Sequence, residues 1–124
     1  MSAIAHLAVV ASAGGLGCGL RVLVRDAVQR RGGRPWWAVC AINLVGALAM
    51  GAVMAGVPGP WATVASGALA GWTTYSAFAM DAVQLWLRGE RLSAAVLWAA
   101  TLAGAPAAAF AGHAAARAAM GPSP

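Results

Sequence analysis

Apolar residues fill this chain in long runs, separated by short polar stretches. The runs cover about Ala3 to Val24, Trp36 to Val57, Trp61 to Leu87 and Leu92 to Ala116. Each is near the ~20 residues that a helix needs to cross a bilayer. Arg25, Asp26, Gln29, Arg30, Arg31, Gly32, Gly33, Arg34 and Pro35 form the first loop, and Arg88-Gly89-Glu90-Arg91 the third. Between them, Pro58-Gly59-Pro60 forces a tight turn. A short tail ends in Gly121-Pro122-Ser123-Pro124. The pattern predicts an all-α membrane protein with four transmembrane helices in one domain over residues 1–124. No linker is long enough to set off a second domain.

The third run carries the one polar interruption, Gly71-Trp72-Thr73-Thr74-Tyr75-Ser76-Ala77-Phe78. Hydroxyls at that depth are costly unless they face protein, water or an ion. Thr73 and Thr74 can bond back to their own helix and stay structural. With Gly71 they can instead unwind a turn, and the freed carbonyls then suit a cation.

Composition agrees with a membrane setting. Hydrophobic residues make up 61% of the chain and charged residues only 9%, against about 25% charged in a soluble domain. All the basic residues are arginine. Arg25, Arg30, Arg31, Arg34, Arg88 and Arg91 fall on one side, with Arg21 near it, and only Arg117 on the other. The positive-inside rule then places both termini outside the cytoplasm. Arginines at segment ends point to lipid headgroups rather than nucleic acid. The first run has no basic segment before it, so it reads as a span rather than a cleaved leader. Cys18 and Cys40 lack metal-type spacing and read as small buried hydrophobes.

Several polar and aromatic positions carry two readings each. Asn43 offers either an interhelical hydrogen bond or a donor to an anion in a pore. Tyr75 and Phe78 share a helix face, either as packing or as ring edges turned to an anion. Arg21 and Asp81, the ionisable groups nearest the interior, either snorkel to an interface or support a polar site. Glycines throughout the runs let helices approach closely. Four thin helices enclose little, which predicts association with another copy or a relative.

Three motifs together resemble the Fluc/CrcB fluoride channels. Gly14-Gly15-Leu16-Gly17-Cys18-Gly19-Leu20-Arg21 is similar to the family's glycine-rich first helix ending in arginine. Asn43-Leu44-Val45-Gly46 resembles its second-helix Asn-x-x-Gly pattern. The Gly71–Phe78 stretch followed by Asp81 resembles its third-helix Thr-Thr-Phe-Ser-Thr-Phe signature. Tyr75 stands where the family usually has Phe, Ala77 replaces a threonine and Ala70 a glycine. The fourth run matches only as a hydrophobic helix.

The resemblance implies an antiparallel, dual-topology-type dimer in a bacterial-type cell membrane, exporting fluoride passively. It implies that Asn43, Tyr75, Ser76 and Phe78 line the fluoride path, supported by Arg21, Thr74 and Asp81. It further implies a structural sodium ion (Na+) at the dimer centre, held by the backbone carbonyls of Ala70 and Thr73 in a broken third helix. A homodimer that inserts both ways needs balanced loop charge. The arginine bias here instead suggests a heterodimer with an oppositely oriented paralogue.

Two other classes compete. A small proton-coupled multidrug exporter needs a carboxylate deep in the first helix, and the polar residues there are only His6 and Ser12. A non-conducting partner subunit would tolerate Asn43→Ala and Phe78→Ala without loss of fluoride resistance. An enzyme is not expected, because His6 and His113 stand alone and no nucleophile or carboxylate pair accompanies them.

Overall fold

The computed structural model describes residues 2–121, so the tail at 122–124 lies outside the described residues. They form helices α1 (Ala3–Arg30), α2 (Pro35–Gly56), α3 (Pro60–Trp72), α4 (Tyr75–Leu87), α5 (Arg91–Ala99) and α6 (Ala105–Met120). A π-helical turn over Ala100–Gly104 joins α5 to α6. There is no strand among the described residues. Three stretches are long and apolar enough to cross a membrane: Ala3–Arg30, Pro35–Gly56 and the continuous Arg91–Met120. The protein is a multi-pass membrane protein.

Local chemistry sets the ends of these helices. Pro35 and Pro60 open α2 and α3 at positions where a missing N–H costs nothing. Gly59, at φ 59°, makes the turn between them. The first helix runs on to Arg30 rather than stopping near Val24. Arg25, Asp26, Gln29 and Arg30 are therefore helical, not loop. Asp26 pairs with Arg30 at 2.8 Å, four residues on, and Arg25 is held by Asp81 at 2.8 Å, so the extra turns have partners. Gly32, at φ 77°, then stops the helix. At 28 residues α1 is about 42 Å long, which carries its last turns past a ~30 Å hydrocarbon core.

The last rod also departs from a plain helix. Pro106 has no N–H to give Leu102 O, and its ring crowds the preceding turn. The helix widens over Ala100–Gly104, just before that proline. It begins at Arg91 and continues to Met120, beyond the Ala116 suggested by hydropathy alone.

Helices pair in an interleaved way, α1 with α3 and α2 with α6. Glycine makes each crossing close. A methyl group at Gly17 would strike the backbone of Ala68, and one at Gly71 the backbone of Gly14. The α2–α6 crossing repeats this, with Gly51 against Ala109 and Gly112 against Leu48. Such contacts replace the hydrophobic effect as glue where the solvent is itself apolar. A buried apolar cluster forms where Trp36, Val39 and Cys40 of α2 meet Phe78, Ala82 and Leu85 of α4 and Ala94 and Leu97 of α5. Large side chains such as Leu7, Leu16, Leu23, Trp61, Leu87 and Phe110 stay exposed, as faces toward lipid or another chain do.

Candidate functional site

The expected third span is divided into two 13-residue helices, α3 and α4. Both intervening residues are extended, Thr73 at φ −74°, ψ 155° and Thr74 at φ −152°, ψ 124°. The helix thus holds through Ala70, Gly71 and Trp72, and opens later than a break over Ala70 to Thr73 would. Threonine chemistry explains the position. Thr74 caps α4, its hydroxyl accepting the Ala77 N–H at 3.2 Å. The Thr73 hydroxyl donates back to Leu69 O at 3.2 Å, closing α3.

Asn43 of α2 fixes this junction. The Thr74 N–H donates to Asn43 Oδ1 at 3.0 Å, and Asn43 Nδ2 donates to Thr74 O at 3.2 Å. The carboxamide, only 5% exposed, therefore replaces both partners that Thr74 would have in a helix. Beside it, the Trp72 indole N–H donates to Ile42 O at 3.0 Å. Gly46 makes room, since a methyl there would collide with Thr73 and Trp72.

The break also changes the partners of Ala70 O and Thr73 O, the two carbonyls that the family resemblance implies for a sodium ion. In an unbroken helix Ala70 O would accept from the Thr74 N–H, and Thr73 O from the Ala77 N–H. Here the first donor is committed to Asn43 and the second to the Thr74 hydroxyl. The break thus releases both carbonyls from their helical donors.

These residues border a groove of about 670 Å³ lined by Asn43, Ala70, Thr73, Thr74, Tyr75 and Thr101, with apolar residues of α2 and α6. Thr101 sits in the π-helical turn and its buried hydroxyl has no partner. Sequence reasoning passed over it, although a hydroxyl five residues before Pro106 in an apolar run was a visible signal. Asn43 has a second amide hydrogen beyond the one given to Thr74, so it remains able to donate to a ligand.

The other expected residues divide. Ser76 is exposed next to the groove, its hydroxyl 3.2 Å from that of Thr74. Tyr75 is 71% exposed, with its ring centroid 5.5 Å from Phe78. Phe78 is fully buried, edge-to-face with Trp98 at 5.1 Å and 76°. Its ring therefore backs Tyr75 and is closed to a ligand in the single chain, because α5 covers it. Arg21 lies apart from the groove, its Nη2 2.9 Å from Cys18 Sγ and its Nε buried without a partner. Asp81, 5% exposed, is held by Arg25 and also lies outside the groove.

Comparison with known proteins adds an independent line. Residues 8–113 match the family described as CrcB-like protein, Camphor Resistance (CrcB). A "Fluoride-specific ion channel FluC" from Chelativorans sp. (strain BNC1) is 34% identical over 115 residues, covering 86% of this chain and 92% of that one. A protein of the same name from Mesorhizobium japonicum is 40% identical over 96 residues, covering 72% and 77%. Another from Sphingopyxis alaskensis is 37% identical over 101 residues, covering 74% and 79%. No solved structure matches the chain. With the matched segment running from within α1 to within α6 and including the polar junction, this chain belongs to the CrcB family.

Proposed function

We infer that this chain is a subunit of a fluoride channel that lets cytoplasmic fluoride leave down its gradient. The observation that carries the reading is the Asn43–Thr74 clamp, which holds a polar, non-helical junction open on a groove inside an apolar bundle. An intramembrane break of this kind is stable only where it is buried in protein or lines a cavity. The names of the relatives supply the ion.

In this reading α3 and α4 together make one interrupted crossing. The groove becomes a pore wall only against a second chain, and the exposed apolar faces favour such an assembly. An antiparallel pair would bring two junctions together. The arginine bias toward one side favours an oppositely oriented paralogue over an identical copy.

Fluoride gives up its water reluctantly, so the wall must return hydrogen bonds. The free amide hydrogen of Asn43 and the hydroxyls of Tyr75, Ser76 and Thr101 are the available donors. Ring edges of Tyr75, supported by Phe78, add diffuse positive charge. Many weak contacts suit conduction better than one strong site. Ala70 O and Thr73 O, released from helical donors, fit a hard cation such as Na+ at a dimer centre. When bound, its charge lowers the energy of an anion nearby.

The test is fluoride release from loaded liposomes, followed with an electrode. Release is expected from the chain reconstituted alone or with an oppositely oriented paralogue. No release from either preparation rejects the reading.

A further inference from the structure

We propose that a second, separate cavity at the arginine-rich end binds the phosphodiester of an anionic lipid headgroup, a site that rests on the membrane-channel reading above. This cavity, about 390 Å³, lies between the end of α1 (Arg25, Gln29), the start of α2 (Trp36) and the end of α4 (Asp81, Gln84, Arg88).

Charge accounting sets the class of ligand. The chain has three acidic residues. Asp26 is engaged by Arg30, Asp81 by Arg25 and Glu90 by Arg34. No acidic side chain is left for Arg88, and it forms no ion pair among the described residues. The cavity therefore holds two guanidinium groups against one carboxylate, an excess of one positive charge. A ligand carrying a single negative charge balances it.

Hydrogen bonding sharpens the choice. The indole N–H of Trp36, a residue only 7% exposed, has no partner. Gln29 and Gln84 add amide donors. Three neutral sources of donors, Trp36, Gln29 and Gln84, beside one uncompensated charge suit a ligand rich in acceptor oxygens. Asp81 Oδ2 beside it also lacks a donor. Size argues against a bare halide, because the cavity is more than ten times the ~30 Å³ share of one water. Position argues for lipid. In the membrane reading α1 outlasts the hydrocarbon core at this end, on the side carrying most of the arginines, which puts the cavity near the headgroups. Basic pockets between helices on that side are where anionic headgroups bind.

The test compares the purified protein in micelles doped with phosphatidylglycerol, with phosphatidylcholine, or with inorganic phosphate and no lipid. The thermal unfolding midpoint is the readout. Phosphatidylglycerol is expected to raise it and phosphatidylcholine not. Arg88→Gln and Gln84→Leu should each lose at least half of that rise while matching the wild type in phosphatidylcholine. The matching control shows that the variants fold. An equal rise in wild type and variants overturns the proposal, and so does an equal rise with inorganic phosphate. Fluoride release is measured separately, so a protein that fails to conduct yet shows the arginine-dependent rise refutes the channel and not this site.

Discussion

Asn43→Ala is the substitution that bears most directly on how the junction is held. It removes one acceptor at 3.0 Å and one donor at 3.2 Å from the Thr74 backbone. Leaving a buried polar group unsatisfied costs roughly 1–3 kcal/mol, so two such groups set a ceiling of about 6 kcal/mol. Inside a membrane bundle the unfolded reference also finds partners, and each bond is worth about 0.6 kcal/mol. That gives a floor of about 1 kcal/mol. Relaxation lowers the ceiling further, because the freed Thr74 N–H can turn back to Ala70 O and extend α3. Asn43→Leu separates the two contributions, since it deletes the same bonds while leaving less of a void than alanine. Both variants should lose about 1–4 kcal/mol in a mixed-micelle unfolding titration followed by the fluorescence of the 6 tryptophans. Fluoride release should fall at least tenfold in both, the equivalent of about 1.4 kcal/mol. If either variant unfolds within ~0.5 kcal/mol of wild type, the carboxamide does not hold the break and the account of the freed carbonyls fails with it.

Other outcomes follow from the same geometry. Gly71→Ala drives a methyl into the backbone of Gly14; overpacking of about 1–3 kcal/mol should lower the unfolding midpoint. Gly15→Ala meets nothing within 4 Å and should be neutral or gain about 0.5–1 kcal/mol from helix propensity. The same titration reads both, and equal effects would remove glycine packing as the reason for the close α1–α3 crossing. Arg25→Gln and Asp81→Asn form a double-mutant cycle whose coupling should be ~1–3 kcal/mol, the low end for a buried pair because the Arg25 side chain is 37% exposed. A coupling near zero would make that ion pair incidental. Reporter enzymes fused after Met120 should be active only outside the cytoplasm, whereas equal signal from both sides would refute a fixed orientation.

Hydropathy located the apolar runs because each must satisfy one simple solvent, the lipid core. It misplaced the C-terminal end of α1 because Arg25 and Asp26 look like loop residues until their partners are known. Asp81 lies 56 residues from Arg25, and no local pattern encodes that distance. The same holds for Arg34 and Glu90, which join two loops at 2.6 Å. The polar junction was legible as a cluster of hydroxyls, yet its register was not. Whether the helix opens at Ala70 or at Thr73 depends on Asn43 reaching across from α2, 31 residues away in sequence. The spacing of Tyr75 and Phe78 left packing and an anion-facing wall both open, and the resemblance implied the wall; the placement of Trp98 covers the Phe78 ring in the single chain.

The interleaved pairing of helices has a consequence for synthesis. The first helix finds its mate only after the second has been inserted and the third made, and the second waits for the last. Neither glycine seam can close by zipping up sequential neighbours. A nascent chain stalled after Leu87 would carry a finished α1–α3 seam beside an α2 whose Gly51 has nothing to rest on. Quality-control proteases of the membrane would meet that half-built form, and the last helix acts as the release from it. Truncation just before Gly112 should therefore shorten cellular lifetime, although it leaves every residue that lines the groove in place.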